Sequence, residues 1–198
     1  MNVSKLLIPR EEYLASGIHI GMKQRTAQMK EFIYKIRPDG LAVLNLSKVD
    51  QRIRTAAKFL SRLSRILVVS RKPVAVDAMK KFGEVITAVV VTGRFMPGTL
   101  TNPRYKKYLE ADAMVLVDPL VDYQALKEAV KARVPLVVVC DTFNETRDID
   151  FIIPANNKGK KSVAVLFWLL AREILKERGT IKSDEEFTYK IEDFGGNE

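Results

Sequence analysis

One cysteine, one histidine and one tryptophan occur in the 198 residues, and each scarcity closes off some chemistry. Cys140 has no partner for an internal disulfide and ends the apolar run PLVVVC, so it reads as a small buried hydrophobe and not as a redox or metal-binding thiol. His19 has neither a Cys nor a Ser partner in a recognisable nucleophile motif; serine, cysteine and metal hydrolysis lack support, and no catalytic or metal residues are expected. The most apolar helical stretch, Val163 to Ala171, is nine residues, well short of the ~20 that cross a bilayer. The amino terminus also lacks the layout of charge, apolar run and small-residue cleavage site that marks a signal peptide, which predicts a cytoplasmic protein with no membrane partner.

What the chain does have is positive charge. The formal net charge is +9, and residues 180–198 set Lys182 and Lys190 against six acids, a local −4 that leaves +13 on the body. Such a field favours polyanions, nucleic acid first among them. The composition, 47% hydrophobic and 29% charged, is that of a globular chain of one domain. Residues 1–38 read as a basic amino-terminal arm, 39–179 as an α/β core, and 180–198 as a polar acidic tail expected to be mobile unless a partner holds it.

Short apolar runs alternate with helical patterns: LAVLNL (41–46), ILVVS (66–70), ITAVVV (86–91), AMVLVD (113–118) and PLVVVC (135–140). Consecutive apolar positions suit strands buried on both faces, and the helical spacers between most of them predict a parallel sheet with helices on both sides. DFIIP (150–154) reads as either an edge strand or a linker. Ser47 is the expected cap of a first core helix with a basic outer face, Lys48, Arg52, Arg54, Lys58, Arg62 and Arg65, taken as solvated in preference to a nucleic-acid contact. Pro73 and Gly83 are expected to open and close a second helix, Asp122 to cap a third running to about Ala132, and Lys160 to Arg178 to form a largely buried fourth in which Trp168 is core.

The stretch GRFMPGTLTNP (93–103) looks built to hold phosphate. Gly93 and Gly98 stand at the spacing of a P-loop, but Thr99 occupies the lysine position and Leu100 the Ser/Thr position, so nothing reaches the terminal phosphates or Mg²⁺ of a nucleotide. RNA phosphates make no such demand and accept scattered donors, here Arg94, Thr99, Thr101, Asn102 and Arg104. Two further segments resemble phosphate-contacting surfaces: Lys23, Gln24, Arg25, Thr26 and Lys30 in the arm, and Asn156, Asn157, Lys158, Lys160 and Lys161 ahead of the last helix. Lysines at a helix amino terminus oppose the macrodipole, which suggests an anion there. Asp118 and Asp141 at strand ends keep open a second reading, an enzyme binding a nucleotide or phosphometabolite on an open α/β sheet, although turn formation accounts for both residues more simply.

Four stretches, SGIHIG (16–21), GRFMPGTLTNP, DPLVDYQALKEAVKARVPLVVVCDT (118–142) and IDFIIPANNKGKKSVAVLFWLLAREIL (149–175), closely resemble the universal S-two family of small ribosomal subunit proteins in its archaeal and eukaryotic form. They cover most of the chain in order. The resemblance implies a three-layer α/β/α fold around a five-stranded parallel sheet of flavodoxin-like arrangement, no catalysis, no cofactor and no small-molecule substrate. It also implies a place in the small ribosomal subunit, bound to ribosomal RNA and neighbouring ribosomal proteins. By position it puts Lys23, Gln24, Arg25 and Thr26 in an arm used against RNA, with 94–104 and 156–161 as further contacts. Only PRYKKYLEA separates Asn102 from the next strand, so the helical hairpin that bacterial members insert there is absent.

Overall fold

The computed structural model describes residues 6–196; the first five residues of the arm and the last two of the tail lie outside the described residues. Five parallel strands form the central sheet: β3 (Ile66–Ser70), β4 (Val89–Thr92), β5 (Ala113–Leu116), β6 (Leu136–Cys140) and β7 (Phe151–Pro154). Their order is β4-β3-β5-β6-β7, which counted within the sheet is the flavodoxin-like 2-1-3-4-5, and the winding reverses between β3 and β5. Strands β3, β5 and β6 are buried at every position, which is why their sequences are apolar without alternation.

The α/β fold with its five-stranded parallel sheet is the expected one, but its membership differs from the sequence reading. FIIP is the fifth strand. LAVLNL is not in this sheet: β2 (Ala42–Leu44) pairs antiparallel with β1 (Ile33–Ile36) in a separate hairpin that spans the boundary between the region read as an arm and the region read as the core. An apolar run reports burial and not the partner that provides it, so local pattern could not separate these two cases.

The described residues form five α-helices: α1 (Arg10–Ser16), α2 (Leu46–Ser61), α3 (Val76–Ile86), α4 (Tyr123–Ala132) and α5 (Lys160–Glu177). α5 packs between α2 and α3 on one face, where Phe167 meets Phe82 edge-on at 5.1 Å between ring centroids. The crossovers β3–α3–β4 and β5–α4–β6 run in opposite directions from the switch point, and right-handed connections therefore put α4 on the other face. Asn45, not Ser47, caps α2, its side chain accepting from the Ser47 N–H at 3.1 Å. Gly83 does not close α3; Thr87 does, in the left-handed region at φ 59°. Gly83 lies inside the helix because a Cβ there would collide with the Val90 side chain of β4.

The tail lies against α3 and α5 instead of extending from the body. Phe194 and Phe187 are buried, Phe187 stands edge-on to Trp168, and the Trp168 indole N–H donates to the Tyr189 carbonyl at 2.7 Å. Its two phenylalanines supply the apolar contact that the acid-rich composition had hidden.

Candidate nucleic-acid interface

In a parallel sheet all carboxyl ends face one edge, and here that edge collects β3 ending at Ser70, β4 before Gly93, β5 before Asp118, β6 before Asp141 and β7 before Ala155. The crevice outside β3 and β5 is where open α/β sheets take their ligands. In this chain Lys72 fills it. Its Nζ lies 2.6 Å from Asp118 Oδ2 and donates to Asn157 Oδ1 at 2.9 Å and to the Asn157 carbonyl at 3.0 Å. Asp118 Oδ1 accepts from Asn144 Nδ2 and from the Leu120 N–H, and Asn157 Nδ2 reaches Asn144 Oδ1 and the Val117 carbonyl.

Asp118, Asp122 and Asp141 are all buried. Burial raises the Asp141 carboxyl above its ordinary range, against the hydrogen bond from the Thr142 N–H that lowers it. Asp122 is pushed up to about 6, first by burial, with the charge of Asp118 adding to it; the Arg71 N–H, donating at 2.7 Å, and the Ser70 hydroxyl work the other way. Asp118 and Asp141 both hold turns, at Leu120 N–H and Thr142 N–H, as their simpler reading expects.

The GRFMPGTLTNP loop does enclose an anion, and the anion is Glu128. This buried carboxylate on α4 accepts from the Gly98 N–H at 2.8 Å and the Leu100 N–H at 3.1 Å, with Thr101 Oγ1 at 3.5 Å. Gly93 and Gly98 adopt the positive φ, 86° and 93°, that the turn needs. The backbone donors that resembled a phosphate cradle are therefore used internally. Thr99 is buried with its hydroxyl on the Met96 carbonyl, and Asn102 caps the turn at the Arg104 N–H. Arg94, Thr101, Asn102 and Arg104 are left facing solvent.

The arm runs across the carboxyl ends of β6 and β7. Thr142 Oγ1 accepts from the Met22 N–H and donates to the Gln24 carbonyl, while the Thr26 N–H and hydroxyl bond to the Thr142 and Asn144 carbonyls. Lys23, Gln24 and Arg25 are thereby held exposed on this edge. Lys158 joins them, its Nζ 4.5 Å from the Phe143 ring centroid and 3.3 Å from Met22 Sδ. Arg71 and Arg94 flank an open cleft of about 420 Å³ at the other end of the edge, with Phe95, Pro97 and Asp122.

Not every predicted residue shares this surface. Asn157 is fully buried in the crevice, and Asn156 turns its Oδ1 to the Lys158 and Gly159 N–H groups at the start of α5. Lys160 lies 3.5 Å from Asp77, an acid partner for a cation otherwise opposed by the helix dipole, and Lys161 stays exposed beside it. Lys30 opens a single turn leading into the hairpin. Sequence reasoning missed Arg71, Lys72 and Glu128. The first two form a basic pair directly after a buried strand, and Glu128 interrupts the apolar face of α4 between Ala125 and Ala129; both irregularities were readable.

Several cations of the α2 face, expected to be solvated, are engaged within the fold. Arg54 pairs with Asp50 at 2.8 Å, Lys58 lies 4.0 Å from Glu177, and Arg52 packs over the Phe32 and Phe151 rings.

Residues 13–111 and 104–177 match the family described as Ribosomal protein S2. The chain belongs to the ribosomal protein S2 family. Its relatives include the small ribosomal subunit protein uS2 of Thermoplasma volcanium and that of Thermoplasma acidophilum, each 50% identical over 192 residues, 96% of this chain and 96% of the relative. The uS2 of Methanococcus maripaludis strain C6 is 51% identical over 191 residues, 96% of this chain and 86% of the relative. These relatives are archaeal, in agreement with the short connection after Asn102. As a ribosomal protein of the S2 type the chain is assigned to the small subunit and to translation.

Proposed function

We propose that this chain is a structural constituent of the small ribosomal subunit that binds its RNA through the carboxyl edge of the sheet and acts without catalysis, cofactor or small-molecule substrate, in the cytoplasm. The observation that carries this is the layering of charge on that edge. Asp118, Asp122 and Asp141 are inside, while Lys23, Arg25, Arg71, Arg94 and Lys158 stand exposed outside, without a salt bridge to an acid among the described residues. Cations held on a rigid rim suit a phosphate backbone, which needs positive charge at spaced positions and no base-specific pocket. Lys161, Arg104, Thr101 and Asn102 extend the same surface.

The enzyme reading needs an open crevice between β3 and β5, and Lys72 with its three oxygen partners occupies that volume. Protein neighbours are given a different surface. Leu120 and Tyr123 are exposed on and beside α4 and line a groove of about 480 Å³ between that helix and residues 143–148. Exposed side chains of this size in one patch mark an interaction site.

Binding to small-subunit RNA across salt concentrations tests the reading. Each phosphate neutralised steepens the slope of log affinity against log salt by roughly 0.7 to 0.9. Replacing Lys23, Arg25, Arg71, Arg94 and Lys158 by Gln flattens that slope; micromolar binding of ATP or GTP that RNA does not displace would reverse the assignment.

A further inference from the structure

The two edges of the sheet are finished differently. β7 ends in Pro154, which has no N–H to offer, and it is flanked by α2, whose Arg52 lies 5.0 Å over the Phe151 ring. β4 has neither device. Its run TAVVVTG (87–93) contains no charge and no proline, Val89 is 46% exposed, and Thr92 is exposed at the other end. Soluble proteins blunt such edges with charge, proline, a bulge or a covering segment, because an open edge is a template for another strand.

The direction of the free groups follows from the ladder. β4 pairs with β3 in parallel, and the Gly93 N–H donates to the Ser70 carbonyl at 3.0 Å. Alternation along the strand then turns Val89 and Val91 toward β3 and leaves the N–H and C=O of Val90 and Thr92 pointing away from the sheet. Neither residue's backbone bonds to anything beyond β3 among the described residues. Beside the strand, Val89, Leu67, Tyr108 and Leu109 line a groove of about 420 Å³, together with Arg65 and Glu110, which neutralise each other in an ion pair. Lys106 and Lys107 immediately precede that groove's Tyr108, and Lys80 is exposed on α3, the helix packed against β4.

We propose that β4 is a docking edge for an extended segment of a neighbouring protein, which adds a sixth strand to the sheet. A peptide backbone is the one polymer whose donors and acceptors match the outward groups of Val90 and Thr92, and RNA cannot reproduce that ladder. The segment carries apolar side chains for the Val89–Tyr108 groove and acidic ones for Lys80, Lys106 and Lys107. This rests on the reading of the chain as a subunit component with protein neighbours, and it names the surface and the form of one of them.

The test is amide hydrogen exchange at Val90 and Thr92 in three states: the free chain, the chain on naked small-subunit RNA, and small subunits reconstituted with the remaining subunit proteins. The proposal expects exchange at least tenfold slower in the third state alone. Free-chain rates in the reconstituted subunit overturn it. So does slowing already complete on naked RNA, which puts RNA on the edge, or concentration-dependent slowing in the free chain, which puts a second copy there. Val89→Lys, whose side chain is exposed, and Thr92→Pro, whose N–H points outward, reduce retention in salt-washed subunits about tenfold and leave the salt slope on naked RNA unchanged. Full retention of both variants contradicts the proposal. If naked RNA shows no salt-dependent binding, the carboxyl-edge reading fails, while the exchange data still decide the fate of β4.

Discussion

At the amino end of the sheet, cation meets anion in the open. Arg65, just before β3, lies 2.6 Å from Glu110 and 3.1 Å from Asp112, and the Arg65 N–H hydrogen bond holds the Asp112 carboxyl below its usual range. At the carboxyl end the same charge types are segregated by depth: Asp118, Asp122 and Asp141 are buried, and Lys23, Arg25, Arg71, Arg94 and Lys158 are exposed. Lys72 joins the layers through its ion pair with Asp118. The first arrangement neutralises itself and leaves little field for a partner, whereas the second keeps its cations available to one. Net charge alone does not reveal this, since Arg65 and Arg71 count equally in a sum.

The sharpest way to break the contrast is to remove its bridging cation. Lys72→Ala leaves Asp118 without its ion partner in the interior, and a broken buried pair of this kind costs about 3–5 kcal/mol, read as a lower urea midpoint. Glu128→Ala strips the Gly98 and Leu100 N–H groups of their acceptor and costs roughly 2–3 kcal/mol in the same assay. It also loosens the loop that carries Arg94 and Arg104. Glu128→Gln keeps an acceptor and loses less.

Acidity sharpens the same comparison. The Asp122 carboxyl is raised in the folded protein, so between its ordinary 3.8 and about 6 the folded state holds more proton than the unfolded one. Stability linked to this group is therefore greatest at low pH and falls as pH rises through that window, by about 2–3 kcal/mol, then levels off. Subtracting the pH profile of Asp122→Asn from that of the wild type isolates this decline. The smallest effect belongs to the amino end, where Arg65→Gln removes exposed, solvent-screened ion pairs and leaves the urea midpoint nearly unchanged.

Much of this was legible in the sequence, and the exceptions share a cause. ILVVS, AMVL and LVVVC announce buried strands because both of their faces are apolar, and the helix starting at Lys160 is visible from its all-round hydrophobicity. LAVLNL and FIIP look equally strand-like. Which of them joins the parallel sheet is decided by the strand each one pairs with, Ile33–Ile36 in a local antiparallel hairpin for the one and Val137–Cys140 in parallel for the other. The candidate site shows the same limit one level down. Asn156 and Asn157 are adjacent and chemically identical, yet one is half-buried and accepts from the Lys158 and Gly159 N–H groups just ahead of α5, while the other is sealed in the crevice. The GRFMPGTLTNP loop was recognisable as an anion holder, but that its anion is Glu128, some 30 residues on, is a tertiary fact.

The carboxyl edge, and not the amino edge, is the surface proposed to bind RNA. The most direct measurement is the slope of log affinity against log salt for small-subunit RNA, compared among the wild type, the Lys23, Arg25, Arg71, Arg94 and Lys158 to Gln variant, and Arg65→Gln. The account predicts a steep slope for the wild type, retained in Arg65→Gln and reduced in the multiple variant by roughly 0.7–0.9 for each phosphate no longer neutralised. A flat wild-type slope, or equal slopes for the wild type and the multiple variant, would contradict it.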